Sequence, residues 1–154
     1  MAVKVVFVGN SLAGDDGIGP FLYKDLRDHP KLKDYKMLEL GVIGFDLISY
    51  IEDDDKLIIV DAIRTKRAIG EVLTFGEKDI TADLSIVSQH DLGVEQTAKL
   101  LRLTKPGLKQ ISFVGINVHS ISAFTDKLSK EIIEKLQRIK EEVIKNIIKL
   151  AEEG

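Results

Sequence analysis

The chain has 154 residues, of which 44% are hydrophobic and 31% charged, so it can bury a core and is too apolar to be disordered. The absence of cysteine excludes disulfides, zinc ribbons and thiol nucleophiles. Its 22 basic and 25 acidic residues are mixed along the chain, and a net charge of −3 provides no nucleic-acid surface. No apolar run suits a bilayer and no segment resembles a secretory signal, so the sequence predicts a cytoplasmic protein without a membrane partner.

Patterns typical of strands and helices alternate along the chain. Short aliphatic runs predict strands at 3–8, 36–40, 57–60, 71–75, 84–87 and 111–118, with 71–75 at an edge. Apolar residues at helical spacing predict helices over about 18–29, 45–51, 88–103 and 128–150, with Ser88 as an N-cap. The alternation predicts one α/β domain, residues 1–154, in which a mostly parallel sheet lies between helices on both faces.

The loop after the first strand, VGNSLAGDDGIG at residues 8–19, carries the most information. Its glycines suggest a phosphate cradle, but their spacing matches neither the dinucleotide fingerprint nor a P-loop. Asp15 and Asp16 at the start of the next helix would also repel a phosphate. The loop therefore favours a cation over an anion and argues against a nucleotide-binding domain.

Several polar residues follow strands of the predicted sheet. Asp15 and Asp16 follow the first strand and Asp61 closes the third. His90 lies in a loop that leads into a helix. Ligands of such sheets bind beyond the carboxyl ends of the strands, so we expect these side chains at one edge. Two carboxylates and an imidazole suit Zn²⁺ or Ni²⁺ and leave coordination positions open for catalysis.

Each of these residues also has an ordinary interpretation. The aspartates can cap helices or begin turns, and His90 can be a surface residue. Of the other histidines, His29 beside a helix-ending proline is predicted on the surface. His119, after the last strand, is predicted either on the surface or in a pocket wall.

Four segments together resemble the hydrogenase maturation endopeptidases, which process the large subunits of nickel-containing hydrogenases. VGNSLAGDDGIG resembles that family's glycine–asparagine signature with its acidic pair, LIIVDAI its second acidic motif, and SQHDLG its histidine motif. ELGVIGFDL matches the glycine-containing segment between them. The similarity extends over nearly the whole chain and implies a single-domain three-layer sandwich with a twisted sheet.

The resemblance also implies roles for individual residues. Asp16, Asp61 and His90 match the family's metal-contacting and catalytic positions, whereas Asp15 matches a supporting position in the loop. Where the family is expected to have a proline or an acidic residue after the last strand, this chain has His119 and its neighbours, and His119 is not counted as a ligand.

The implied reaction is the removal of the carboxyl-terminal extension of a nickel-loaded hydrogenase large-subunit precursor. The nickel would arrive with the precursor, and zinc or a similar divalent ion could occupy the same site. The cleavage is either metal-assisted or performed by Asp16 and Asp61 as an aspartic-type pair that shares a proton. The alternative function is a non-catalytic nickel-binding or chaperone module for the precursor. The sequence leaves the oligomeric state open.

Overall fold

Six strands form one sheet in the computed structural model, which describes residues 2–41, 46–82, 87–88, 94–119 and 124–153, with 80–82 and 87–88 as backbone only. The strands are β1 (Val3–Val8), β2 (Lys36–Leu40), β3 (Lys56–Arg64), β4 (Val72–Gly76), β5 (Val87–Ser88) and β6 (Gln110–Asn117). Their order is β2-β1-β3-β6-β4, with β5 beside β3. Of these six described strands, only β4 and β5 run antiparallel to their neighbours. The predicted mostly parallel sheet is confirmed, with β4 at one edge.

Helices cover both faces of the sheet. They are α1 (Ile18–Leu26), α2 (Asp46–Ser49), α3 (Glu77–Ala82), α4 (Val94–Thr104), α5 (Lys130–Glu134) and α6 (Leu136–Glu152). Phe7 of β1 belongs to a core with Leu22 of α1 and Val143 of α6. Its neighbour Val8 belongs to a second core with Leu101 of α4. Alternate residues of β1 therefore enter opposite cores, which explains its uninterrupted apolar sequence.

The described helices include none that is both long and apolar enough to cross a membrane. The polar segment after β4, where the sequence pattern indicated no helix, contains α3.

Several predicted elements have different boundaries in the structure, and the reason for two of these differences is visible. Parts of the strand predicted at 84–87 and of the helix predicted over 88–103 lie outside the described residues. The strand predicted at 57–60 continues to Arg64 because β6 pairs with β3 as far as Ile63. The single helix predicted over 128–150 is divided into α5 and α6 at Lys135, which has φ −101° and ψ 4°. The Lys135 amide donates to the carbonyl of Ile132, three residues back, at 3.1 Å. This tightened last turn ends α5.

A buried ion pair lies at the amino-terminal edge of the sheet. Lys4 Nζ is 2.7 Å from Asp55 Oδ2, and the two side chains are 7% and 2% exposed. Asp55 also accepts hydrogen bonds from the backbone amides of Glu52 and Ala2, and Lys4 donates to the Tyr50 carbonyl. Burial raises the pKa of Asp55, but the hydrogen bonds from Lys4 and the two amides outweigh it, so this pKa is lowered.

We expect this pair to make the free energy of unfolding depend on pH. Because the pKa of Asp55 is lower in the folded protein than in the unfolded chain, where it is about 3.9, its ionised form stabilises the fold. This stabilisation is fully present above the unfolded-state pKa and is lost as pH falls through the folded-state pKa. Asp55→Asn should flatten that acid loss and cost about 3–5 kcal/mol at neutral pH, because the Lys4 charge stays buried without its partner. Urea unfolding at pH 7 down to pH 3 measures both effects. Asp28→Asn is the control, because the Asp28 side chain is 91% exposed. If the free energy of unfolding of Asp55→Asn falls as steeply with pH as that of the wild type, the pH dependence does not come from Asp55.

Candidate active site

Asp16 lies in a 3₁₀ turn, Gly14–Gly17, that joins β1 to α1. It is 2% exposed, and its Oδ2 accepts a hydrogen bond from the Asn10 amide at 2.8 Å. The turn folds back on Gly9, whose φ is +153° and where a Cβ would lie 2.1 Å from the Asp16 carbonyl oxygen. Only glycine leaves room for this approach. The Asp16 carboxylate is therefore held against the carboxyl end of β1.

Asp61 lies inside β3 and not at its end, so the predicted strand boundary was wrong. It is 2% exposed and pairs with Gly115 of β6. The last pair between β1 and β3 is Phe7 with Val60, which makes Asp61 the first β3 residue beyond that pairing. The 3₁₀ turn that carries Asp16 also contacts β3. The structure thus brings both carboxylate-bearing segments to the carboxyl end of β1.

His90 lies outside the described residues. Ser88, two residues earlier, pairs antiparallel with Ile63, two residues after Asp61. Ser88 therefore lies beside the strand that carries Asp61. The predicted helix cap at Ser88 is wrong because Ser88 belongs to β5.

A complete metal-ligand set is not present among the described residues. Within those ranges, no group of three or more His, Cys, Asp or Glu side chains could hold a metal ion. Since His90 is outside them, the ligand set Asp16, Asp61 and His90 stays a prediction.

Asp15 connects the loop to the start of α5. Its Oδ1 accepts a hydrogen bond from the Ser129 amide at 2.6 Å, and its Oδ2 accepts one from the Ser129 hydroxyl at 2.8 Å. Ser129 is the N-cap of α5, where its Oγ accepts from the Ile132 amide at 3.4 Å. Asp15, which is 8% exposed, thereby holds the loop next to Asp16 in place through its carboxylate.

Asp15→Ala should destabilise the protein by about 1–3 kcal/mol, because it leaves the partly buried Ser129 amide without its acceptor. Asp15→Asn keeps one oxygen for that amide and should cost less. Ser129→Ala removes only the hydroxyl contacts and should cost about 1 kcal/mol. Thermal unfolding of the three variants measures this order, and a wild-type melting temperature for Asp15→Ala would exclude the connection.

The other two histidines have structural partners. His119 is exposed, and its Nε2 lies 2.9 Å from Oε1 of Glu131 in α5. The hydrogen bond from His119, followed by that from Lys135, lowers the pKa of Glu131. His119 is thus a surface residue, one of its two predicted positions. His29 is half-buried, and its Nδ1 accepts from the Lys31 amide at 3.1 Å.

One polar residue at this edge was not recognised in the sequence. Asn117 ends β6 and is fully buried. Its Oδ1 accepts from the Thr65 amide at 2.7 Å, and its Nδ2 donates to the carbonyls of Arg67 at 2.6 Å and Ala68 at 3.2 Å. These bonds hold the loop that follows β3. An amide at the end of an apolar strand is the signal that could have identified it.

The structure is a three-layer α/β fold in which Asp16 and Asp61 are buried at the carboxyl edge of the sheet. The family model HycI, hydrogenase maturation protease, matches residues 21–146. The chain belongs to the hydrogenase maturation protease family. The family indicated by the sequence motifs is confirmed, and with it the enzyme class, a peptidase that processes hydrogenase precursors.

The chain aligns with similar proteins over most of its length. Over 124 residues it is 32% identical to the Hydrogenase 2 maturation protease of Escherichia coli (strain K12), covering 79% of this chain and 76% of that protein. Over 145 residues it is 32% identical to Protein FrxA of Pyrococcus furiosus, and the alignment covers 92% of this chain and 98% of that protein. The NiFe hydrogenase maturation protease HybD from Thermococcus kodakarensis superposes with a TM-score of 0.76 at 30% identity, covering 96% and 99%.

Proposed function

We propose that this protein is the endopeptidase that removes the carboxyl-terminal extension of a nickel-loaded hydrogenase large-subunit precursor, acting in the cytoplasm. The placement of Asp16 and Asp61, each 2% exposed, at the end of β1 supports the proposal most strongly. Two carboxylates at one place repel each other, and a divalent cation bound by both offsets that repulsion. His90 is the proposed third ligand. Ser88, two residues before it in the chain, pairs with Ile63 of β3, the strand that carries Asp61, and this supports the proposal.

In this proposal nickel is carried by the substrate. Nickel held by the precursor gains ligands from the enzyme, which positions the neighbouring peptide segment for cleavage. A precursor without nickel lacks these contacts and is discriminated by their absence. Zinc or a similar divalent ion has the same preference for carboxylate and imidazole and could occupy the site.

Two cleavage mechanisms use the same residues. In a metal-assisted reaction both aspartates stay ionised and the metal polarises the reacting group. In an aspartic-type reaction Asp16 and Asp61 share one proton, so that one acts as base and the other as acid. The pH–rate profile distinguishes them, because the aspartic-type rate falls once the shared proton is lost, whereas the metal-assisted rate does not fall at that ionisation.

Intact-mass spectrometry of the precursor tests the proposed function. The wild-type enzyme is mixed with purified precursor with and without nickel. The mass of the extension should be lost only from the nickel-loaded form. A stable complex without loss of mass would identify the alternative, a non-catalytic nickel-binding or chaperone module. Equal trimming of both forms would refute nickel recognition.

A further inference from the structure

Two large apolar side chains are exposed on two segments that backbone hydrogen bonds join near the candidate site. Leu12 is 47% exposed and Phe124 is 85% exposed. The Thr125 amide donates to the Leu12 carbonyl, and the Gly14 amide donates to the Thr125 carbonyl, each at 2.9 Å. These bonds form a parallel bridge between Ala13 and Thr125. Leu12 and Phe124 directly precede the two bridge partners, so their backbones lie side by side.

This apolar pair shares its support with Asp16. Leu12 lies four residues before Asp16, so their Cα atoms are at most about 14 Å apart. The amide of Asn10 in the same loop donates to the Asp16 carboxylate, and Asp15 fixes the loop to Ser129. Because these contacts hold the surface in place, little conformational entropy is lost when a partner covers it.

We propose that Leu12 and Phe124 form the docking surface for an apolar side chain of the precursor, close to the bond that is cut. The inference rests on the proposed function. The family's substrate is a polypeptide, and about five extended residues of it span the distance from Asp16 to Leu12. Exposed aromatic and aliphatic side chains gain free energy when a partner removes them from water. The pair therefore selects the peptide segment, and the residues at the end of β1 act on it.

Serine substitutions test this surface. Leu12→Ser and Phe124→Ser should each lower kcat/KM for the nickel-loaded precursor, about tenfold for Phe124→Ser. The loss should appear in KM, with kcat and thermal stability close to wild type. Leu103→Ser is the matched control: Leu103 is 82% exposed near the end of α4, whose chain continues to the amino end of β6, at the opposite edge of the sheet. Unchanged KM in both variants would overturn the inference.

Photo-crosslinking separates this inference from the proposed function. A benzophenone amino acid replaces Phe124 in one variant and Leu103 in another, and each is irradiated with full-length nickel-loaded precursor. Crosslinks from position 124 to the carboxyl-terminal part of the precursor, and none from position 103, are expected. If position 124 crosslinks to the precursor but the wild-type enzyme does not remove the precursor's extension, the proposed function is refuted and the docking surface is kept. Trimming without crosslinks from position 124 would refute the docking surface alone.

Discussion

Asp16→Asn is expected to slow removal of the extension by about a thousandfold or more, while the protein stays folded. Asparagine keeps an oxygen that can accept the hydrogen bond from the Asn10 amide, which Asp16 accepts at 2.8 Å. This contact of the loop is thereby preserved, while the charge and the acid–base function are lost. Both candidate mechanisms require that carboxylate, as a metal ligand or as a member of a proton-sharing pair. Intact-mass spectrometry over time gives the rate, and circular dichroism checks the fold.

Asp126→Asn is the matched control for this variant. Asp126 is an exposed aspartate next to Thr125, in the segment that pairs with the loop carrying Asp16. Asp126→Asn should leave the rate at which the extension is removed within about twofold of wild type, since substitutions at exposed positions have small effects. A wild-type rate for Asp16→Asn would remove Asp16 from the catalytic machinery.

Gly19→Ala is expected to give a large loss of stability for the addition of one methyl group. A Cβ at Gly19 would lie 2.1 Å from the carbonyl oxygen of Val8 and 3.0 Å from its carbonyl carbon. These atoms belong to the backbone of β1, so α1 or β1 must shift. Alanine is favoured over glycine in a helix by about 1 kcal/mol, but the clash should cost about 3 kcal/mol or more. Destabilisation therefore dominates, and Tm should fall by about 5 °C or more.

Gly41→Ala provides the comparison for Gly19→Ala. Apart from the residues adjacent in the chain, a Cβ at Gly41 would have no heavy atom of the described residues within 4 Å, so this variant should melt close to wild type. Differential scanning calorimetry of both variants measures the difference. Equal melting temperatures would contradict the close approach of α1 to β1, in which an added Cβ at Gly19 lies 2.1 Å from the Val8 carbonyl oxygen.

The central strands were predictable because they are buried on both faces. The range of β1 coincides with the predicted one, since its apolar run bounded by Gly9 is a local signal. The range of the edge strand β2 also coincides with the predicted one. The break at Lys135 was not predictable from periodicity, because the spacing of Ile132, Leu136 and Ile139 stays three to four residues across it. The extension of β3 to Arg64 depends on pairing with β6, which is a tertiary effect.

The candidate site could be predicted only to the level of an edge of the sheet. Parallel topology places the carboxyl ends of β1 and β3 together, which is why Asp16 and Asp61 could be grouped from sequence. The contact between Asp15 and Ser129 joins residues 114 positions apart, and no local pattern contains it. Asn117 looks like the polar end of an apolar strand, and its role depends on a loop that approaches from β3.

The affinity of the enzyme for precursor with and without nickel tests most directly whether Asp16, Asp61 and His90 share one nickel ion. A precursor with proline after the scissile bond would stay uncut during titration calorimetry. Wild-type enzyme should bind the nickel-loaded form at least about tenfold more tightly, and Asp61→Asn and His90→Ala should each bind the two forms nearly equally. Equal binding of the two forms by the wild type, or a nickel preference that survives both substitutions, would contradict the shared site.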